Sequence, residues 1–142
     1  MADVGVVRKR VRFAIEQARR DAAERRGRVA DARKQFETFL ETSAVPVFRM
    51  FAGILKAEGL SFEVMTPAEG VRLQSERNRE DAIEVVLDTT ADPPEPLVTV
   101  TRTRGSRITQ TDRSVKGNTP LVQLTEDDVI EMLVEELRPW LG

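Results

Sequence analysis

The chain has no cysteine, no histidine, no tyrosine and a single tryptophan. Without cysteine there is no disulfide framework, no thiol nucleophile and no thiolate metal site. Without histidine there is no imidazole base and no Ser-His-Asp triad, and zinc or copper sites lose their commonest ligand. Catalysis would have to run on Asp, Glu, Ser, Thr, Arg and four lysines, a set suited to carboxylate-and-magnesium chemistry and to little else. No G-x-x-x-x-G-K loop, G-x-G-x-x-G turn or calcium loop is present, so phosphate-cradling and calcium-binding readings lack support and no cofactor is expected. The expectation leans away from an enzyme. A small-ligand binder or carboxylate-based enzyme with a pocket between sheet and helices ranks third among the functional readings.

Long apolar runs are also missing. No charge-free stretch approaches the roughly 20 residues of a membrane span, and Met1 to Asp3 lead straight into an Arg-rich pattern without the apolar segment of a secretory signal. A soluble, cytoplasmic protein without a membrane association is the expectation. The residues present suffice for one domain: 142 in all, 40% hydrophobic and 32% charged, a composition able to fill one core and keep its surface solvated.

Charge is unevenly distributed. Residues 1–35 carry eleven Arg or Lys against five Asp or Glu, and the remainder carries eleven against nineteen, so the two parts have opposite sign. In the basic part Val11, Ile15, Ala18, Ala22, Arg25, Val29, Ala32, Phe36 and Phe39 recur at alternating four- and three-residue spacing, the pattern of a heptad stripe on one long helix. A helix from Val4 to about Glu41 would be roughly 55 Å long, more than the rest of so small a chain can cover. Gly27 is its weak point. Pro46 cannot donate a backbone hydrogen bond and disfavours helical angles at Val45, which predicts that the helix ends or kinks between Thr42 and Pro46, with Ser43 capping a second helix. From Pro46 the apolar residues Val47, Phe48, Met50, Phe51, Ile54 and Leu55 cover most of a helical circumference, the mark of a buried helix. Gly59 with Leu60 after it closes that helix in the manner of a Schellman motif.

Beyond Leu60 the hydrophobic period changes from 3.6 to 2. Strands are predicted at Phe62 to Val64, Val71 to Leu73, Ala82 to Asp88, Leu97 to Arg104 and Arg107 to Arg113. The connections are a turn at Pro67–Gly70, a polar turn at Glu76–Glu80, a rigid loop at Ala91–Pro96 and a hairpin at Gly105. Such short connections favour an antiparallel meander, its polar face carrying Glu63, Arg72, Gln74, Glu84, Thr99 and Thr101, with the last strand at an edge. Thr125 with Asp128 three residues later starts a final helix whose Val129, Ile130, Leu133, Val134, Leu137 and Leu141 form a wide apolar stripe. The predicted fold class is α+β in a single domain: a long basic helix over 1–42, free to project, and a globular body over 43–142.

Two functional readings arise from the basic segment. In the first, the protein is a non-enzymatic interaction module, at least a dimer, that self-associates through Val11, Ile15, Ala18, Ala22, Val29, Phe36 and Phe39, with the basic helix meeting acidic surface such as Glu131, Glu135 and Glu136 of another copy. In the second, Arg8, Lys9, Arg10 and Arg12 join Arg102, Arg104 and Arg107 of the last hairpin in binding nucleic acid. Against the second stand the acidic pI of about 5.4 and the lack of aromatic residues in that hairpin to stack on bases. Glu126, Asp127 and Asp128 are consecutive, do not share a helix face, and are accounted for by the helix start, so no metal is assigned to them. Trp140 is expected to plug the edge of the core or a subunit contact.

Overall fold

Helix propensity dominates the first third of the chain, and in the computed structural model, which describes residues 1–142, it carries further than Pro46 alone would allow. Helix α1 (Val4–Phe39) starts at Asp3, whose side chain accepts from the Gly5 amide at 2.8 Å. It runs unbroken through Gly27 into a π-helical segment (Leu40–Ala44) and then helix α2 (Val45–Ala57). The helix therefore does not end before Pro46, but its α pattern is interrupted there by the π segment. In the π segment the Val45 amide reaches back five residues to the Leu40 carbonyl, so the ladder shifts by one residue just before Pro46, and the proline falls in the first turn of α2, where its missing donor costs least. The Thr42 hydroxyl also bonds the Thr38 carbonyl, at 2.7 Å. The resulting rod spans Val4–Ala57, about 80 Å at 1.5 Å per residue. It ends as the glycine predicts: Gly59 has φ +83°, the Leu60 amide bonds the Leu55 carbonyl at 2.8 Å and the Gly59 amide bonds that of Lys56 at 3.1 Å, which is the Schellman pair.

The five strands are β1 (Phe62–Met65), β2 (Gly70–Ser75), β3 (Ala82–Asp88), β4 (Glu95–Arg104) and β5 (Arg107–Arg113). They form one antiparallel sheet in sequence order, with β5 at an edge. Gly70 is required where β2 begins, because a Cβ there would lie 2.9 Å from the Val85 carbonyl oxygen. The register confirms the polar face. Glu63 pairs with Gln74, Arg72 with Glu84, and Glu84 with Thr99. Gln74 donates to Glu63 and accepts from Arg72, which lies 3.7 Å from Glu84, so a polar ladder spans three strands. The other face, with Phe62, Val71, Leu73, Ile83, Val85, Val98 and Val100 buried, packs against the helices.

Helix α3 (Glu126–Leu141) begins at the predicted capping box, in which Thr125 and Asp128 exchange side-chain and backbone hydrogen bonds. It buries Val129, Met132, Leu133 and Leu137 in the same core as Phe36, Phe39, Val47, Phe48 and the sheet. This is the α+β architecture expected. One detail differs: α2 is not buried all round. Val47, Phe48 and Leu55 face the core, whereas Met50 and Ile54 are 48% and 54% exposed, because α2 lies on the outside of the body and has a neighbour on one side only.

Candidate interaction surface

The rod touches the body first at Arg25, which donates to the Thr89 carbonyl, and then at Arg28, which grips Asp92 through two hydrogen bonds of 3.2 Å. Arg33 comes next, 3.5 Å from Glu69. Everything before Arg25 projects, about 30 Å of helix at 1.5 Å per residue. Along this projection Val4, Val7, Val11, Ile15, Ala18 and Ala22 recur at three- and four-residue spacing, all exposed. Val4, Val7, Arg8, Val11, Arg12 and Ile15 line a shallow trough on the rod.

The same row then enters the core with its spacing unchanged. Val29 is half-buried, Ala32 is buried, and Phe36 and Phe39 are 2% and 5% exposed. Phe36 and Phe39 therefore belong to this chain's own core and are closed to a partner. The surface open to one begins instead at Val4 and includes Val7. Phe13, 68% exposed, lies outside the predicted set because it is two residues from both Val11 and Ile15, on the far side of the helix.

The cations divide sharply. Arg8, Lys9, Arg10, Arg12, Arg19, Arg20 and Arg26 make no ion pair, whereas Arg102 and Arg113 of the hairpin are taken up inside the molecule. Arg102 bonds the Glu136 carbonyl and carboxylate at 2.7 and 2.8 Å and lies 5.1 Å from the Trp140 ring centre. Arg113 bonds Glu135 at 2.7 Å and Glu136 at 3.2 Å. Burial pushes the Glu136 carboxyl upward, but hydrogen bonds from Arg102 and Arg113 outweigh it and hold the group below its ordinary value. Arg104 and Arg107 are exposed at the hairpin. They sit at the far end of β4 from the 89–92 loop that meets the rod, about 30 Å away at 3.3 Å per residue. Rod and hairpin are thus separate basic surfaces. Trp140 packs edge-on against Phe62, with ring centres 5.8 Å apart.

Asp128 is structural as well: it accepts the Thr125 amide, which lowers its proton affinity most, and Lys116 lies 3.4 Å away. No three acidic side chains converge as a metal site. One window of the rod reaches a mean hydropathy of 1.2, enough by length and composition to cross a membrane. Comparison with family models, curated proteins and solved structures finds no match to this chain.

Proposed function

We propose that this protein is a non-enzymatic interaction module that self-associates through the projecting part of α1. The observation that carries the reading is the exposed row Val4, Val7, Val11, Ile15, Ala18 and Ala22 on a helix without tertiary support before Arg25. Helices in proteins draw most of their stability from packing an apolar face, and a stripe beyond the edge of its own body gains that stability only against a partner. The experiment is light scattering on the intact chain and on a variant carrying Val11→Glu and Ile15→Glu. The expected result is an oligomer for the parent chain and the 16.0 kDa chain mass for the variant, with the unfolding of the body unchanged. Monomeric parent protein at high micromolar concentration, with its helicity intact, would overturn the reading.

One observation favours a second reading, binding of a polyanion such as nucleic acid: the six cations of the rod before Arg25 have no acidic partner. Phosphate contacts release counterions, so such binding would be micromolar or weaker at physiological salt, about 10⁻⁴ to 10⁻⁶ M, and would fall steeply as salt rises. Salt-sensitive retention lost on replacing Arg8, Lys9, Arg10 and Arg12 would favour it over self-association. Arg104 and Arg107, at the opposite end of the sheet, would contribute little to the same contact.

A further inference from the structure

The projecting rod is a poor partner for its own copy. Before Arg25 it carries six Arg or Lys and three Asp or Glu, so pairing two of these rods brings together a net charge of one sign. The exposed apolar patch of α2 is no better, because Arg49 and Lys56 flank Met50 and Ile54.

The outer face of α3 has the opposite character. Asp127, Glu131, Val134, Arg138 and Leu141 are exposed along one side of the helix, Ile130 is half-buried beside them, and Glu126 and Glu135 are exposed as well. Glu126, Asp127 and Glu131 form no ion pair within the chain, whereas Glu135 is engaged by Arg113. Read backwards, Leu141, Arg138, Val134, Ile130 and Asp127 have the spacing of Val4, Val7, Val11, Ile15 and Ala18 read forwards: three, four, four, three.

Resting on the self-association reading, we propose that the projecting helix of one copy lies antiparallel along the outer face of α3 of a second copy, and reciprocally. Val4 meets Leu141, Val11 meets Val134 and Ile15 meets Ile130. Arg12 falls beside Glu131, and Arg19 beside Asp127. Arg8 beside Arg138 and Asp21 beside Glu126 bring like charges together. Antiparallel alignment also opposes the two helix dipoles favourably. A two-fold arrangement makes the contact twice, which a stable interface of at least about 1,200 Å² requires of helices this short.

Because the chain has no cysteine, engineered pairs report this contact cleanly. Val11→Cys combined with Val134→Cys in one chain should give a covalent dimer on oxidation or with a short bis-maleimide, and neither single variant should. A covalent dimer from Val11→Cys alone would show rod-to-rod pairing, overturning this contact while leaving self-association intact. A monomeric parent chain would overturn both. Independently, Asp127→Arg with Glu131→Arg should dissociate the dimer, and adding Arg12→Glu with Arg19→Glu should restore it. All four positions are exposed, and the restored mass shows that the fold survived. A dimer unaffected by the α3 reversals would contradict the proposal.

Discussion

Arg102 stands where the inward-facing row of β4 changes from Val98 and Val100 to a charged side chain at the end of α3. Its guanidinium is mostly buried, and its Nε has no partner, so the bonds to Glu136 and the Trp140 ring must offset the loss of water. Replacing Glu136 by Gln keeps the shape and removes the charge. Unfolding in urea should show a loss of about 1.5–3 kcal/mol, the usual worth of hydrogen bonds to charged groups. Acid should act on the same residues. The folded-state proton affinities of Glu136 and Asp128 are lowered, so the stability they supply is complete above the ordinary carboxylate range, about pH 4. It is lost as pH falls through their lower folded values. The Glu136→Gln chain should therefore lose less stability between pH 5 and the acid limit than the parent, and parallel curves would contradict the assignment. Nothing in the sequence pairs Arg102 with Glu136. Arg102 and Arg113 read as surface because their partners lie 22 to 34 residues away on an element whose docking angle is set only by the folded core.

Among the elements, those fixed by a local rule were the ones legible in the sequence. Alternation of period two set the strands and their faces, Gly59 and Leu60 set the end of α2, and Thr125 with Asp128 set the start of α3. The rod through Pro46 was illegible because a π turn, which no residue type announces, moves the hydrogen-bond ladder to suit the proline. The outward face of α2 was equally hidden, since apolar residues around a full circumference state how much could be buried but not how many neighbours are there to bury it. Two expectations belong to this scale. Leu133, fully buried, should cost about 2–5 kcal/mol on replacement by Ala, measured as cooperative unfolding of the body, and a cost below about 1 kcal/mol would mean that α3 is peripheral. Gly27 has open space where its Cβ would be, so Gly27→Ala should stabilise α1, at the point where the projection meets the body, by up to about 1 kcal/mol. Slower amide exchange over residues 4–30 is the readout, and unchanged exchange would show that this glycine does not limit the helix.

At the scale of the whole molecule, one row of residues serves two purposes. From Val29 to Phe39 it joins the core, and from Val4 to Ala22 it extends beyond it. Its spacing is the same throughout, so the sequence alone could not divide the part that faces this chain from the part open to another. The fold makes that division where Arg25 and Arg28 meet the 89–92 loop. It also separates the basic rod from the hairpin by the length of β4, and it withdraws Glu136 from the acids proposed to meet the rod. The unpaired acids left on α3 are Glu126, Asp127 and Glu131. The central claim, that the projecting helix joins two copies, is tested most directly by the mass of the intact chain in solution across a concentration series. Twice the 16.0 kDa chain mass is expected at high micromolar concentration, falling toward the chain mass on dilution. A single-chain mass throughout, with the rod fully helical, would contradict it.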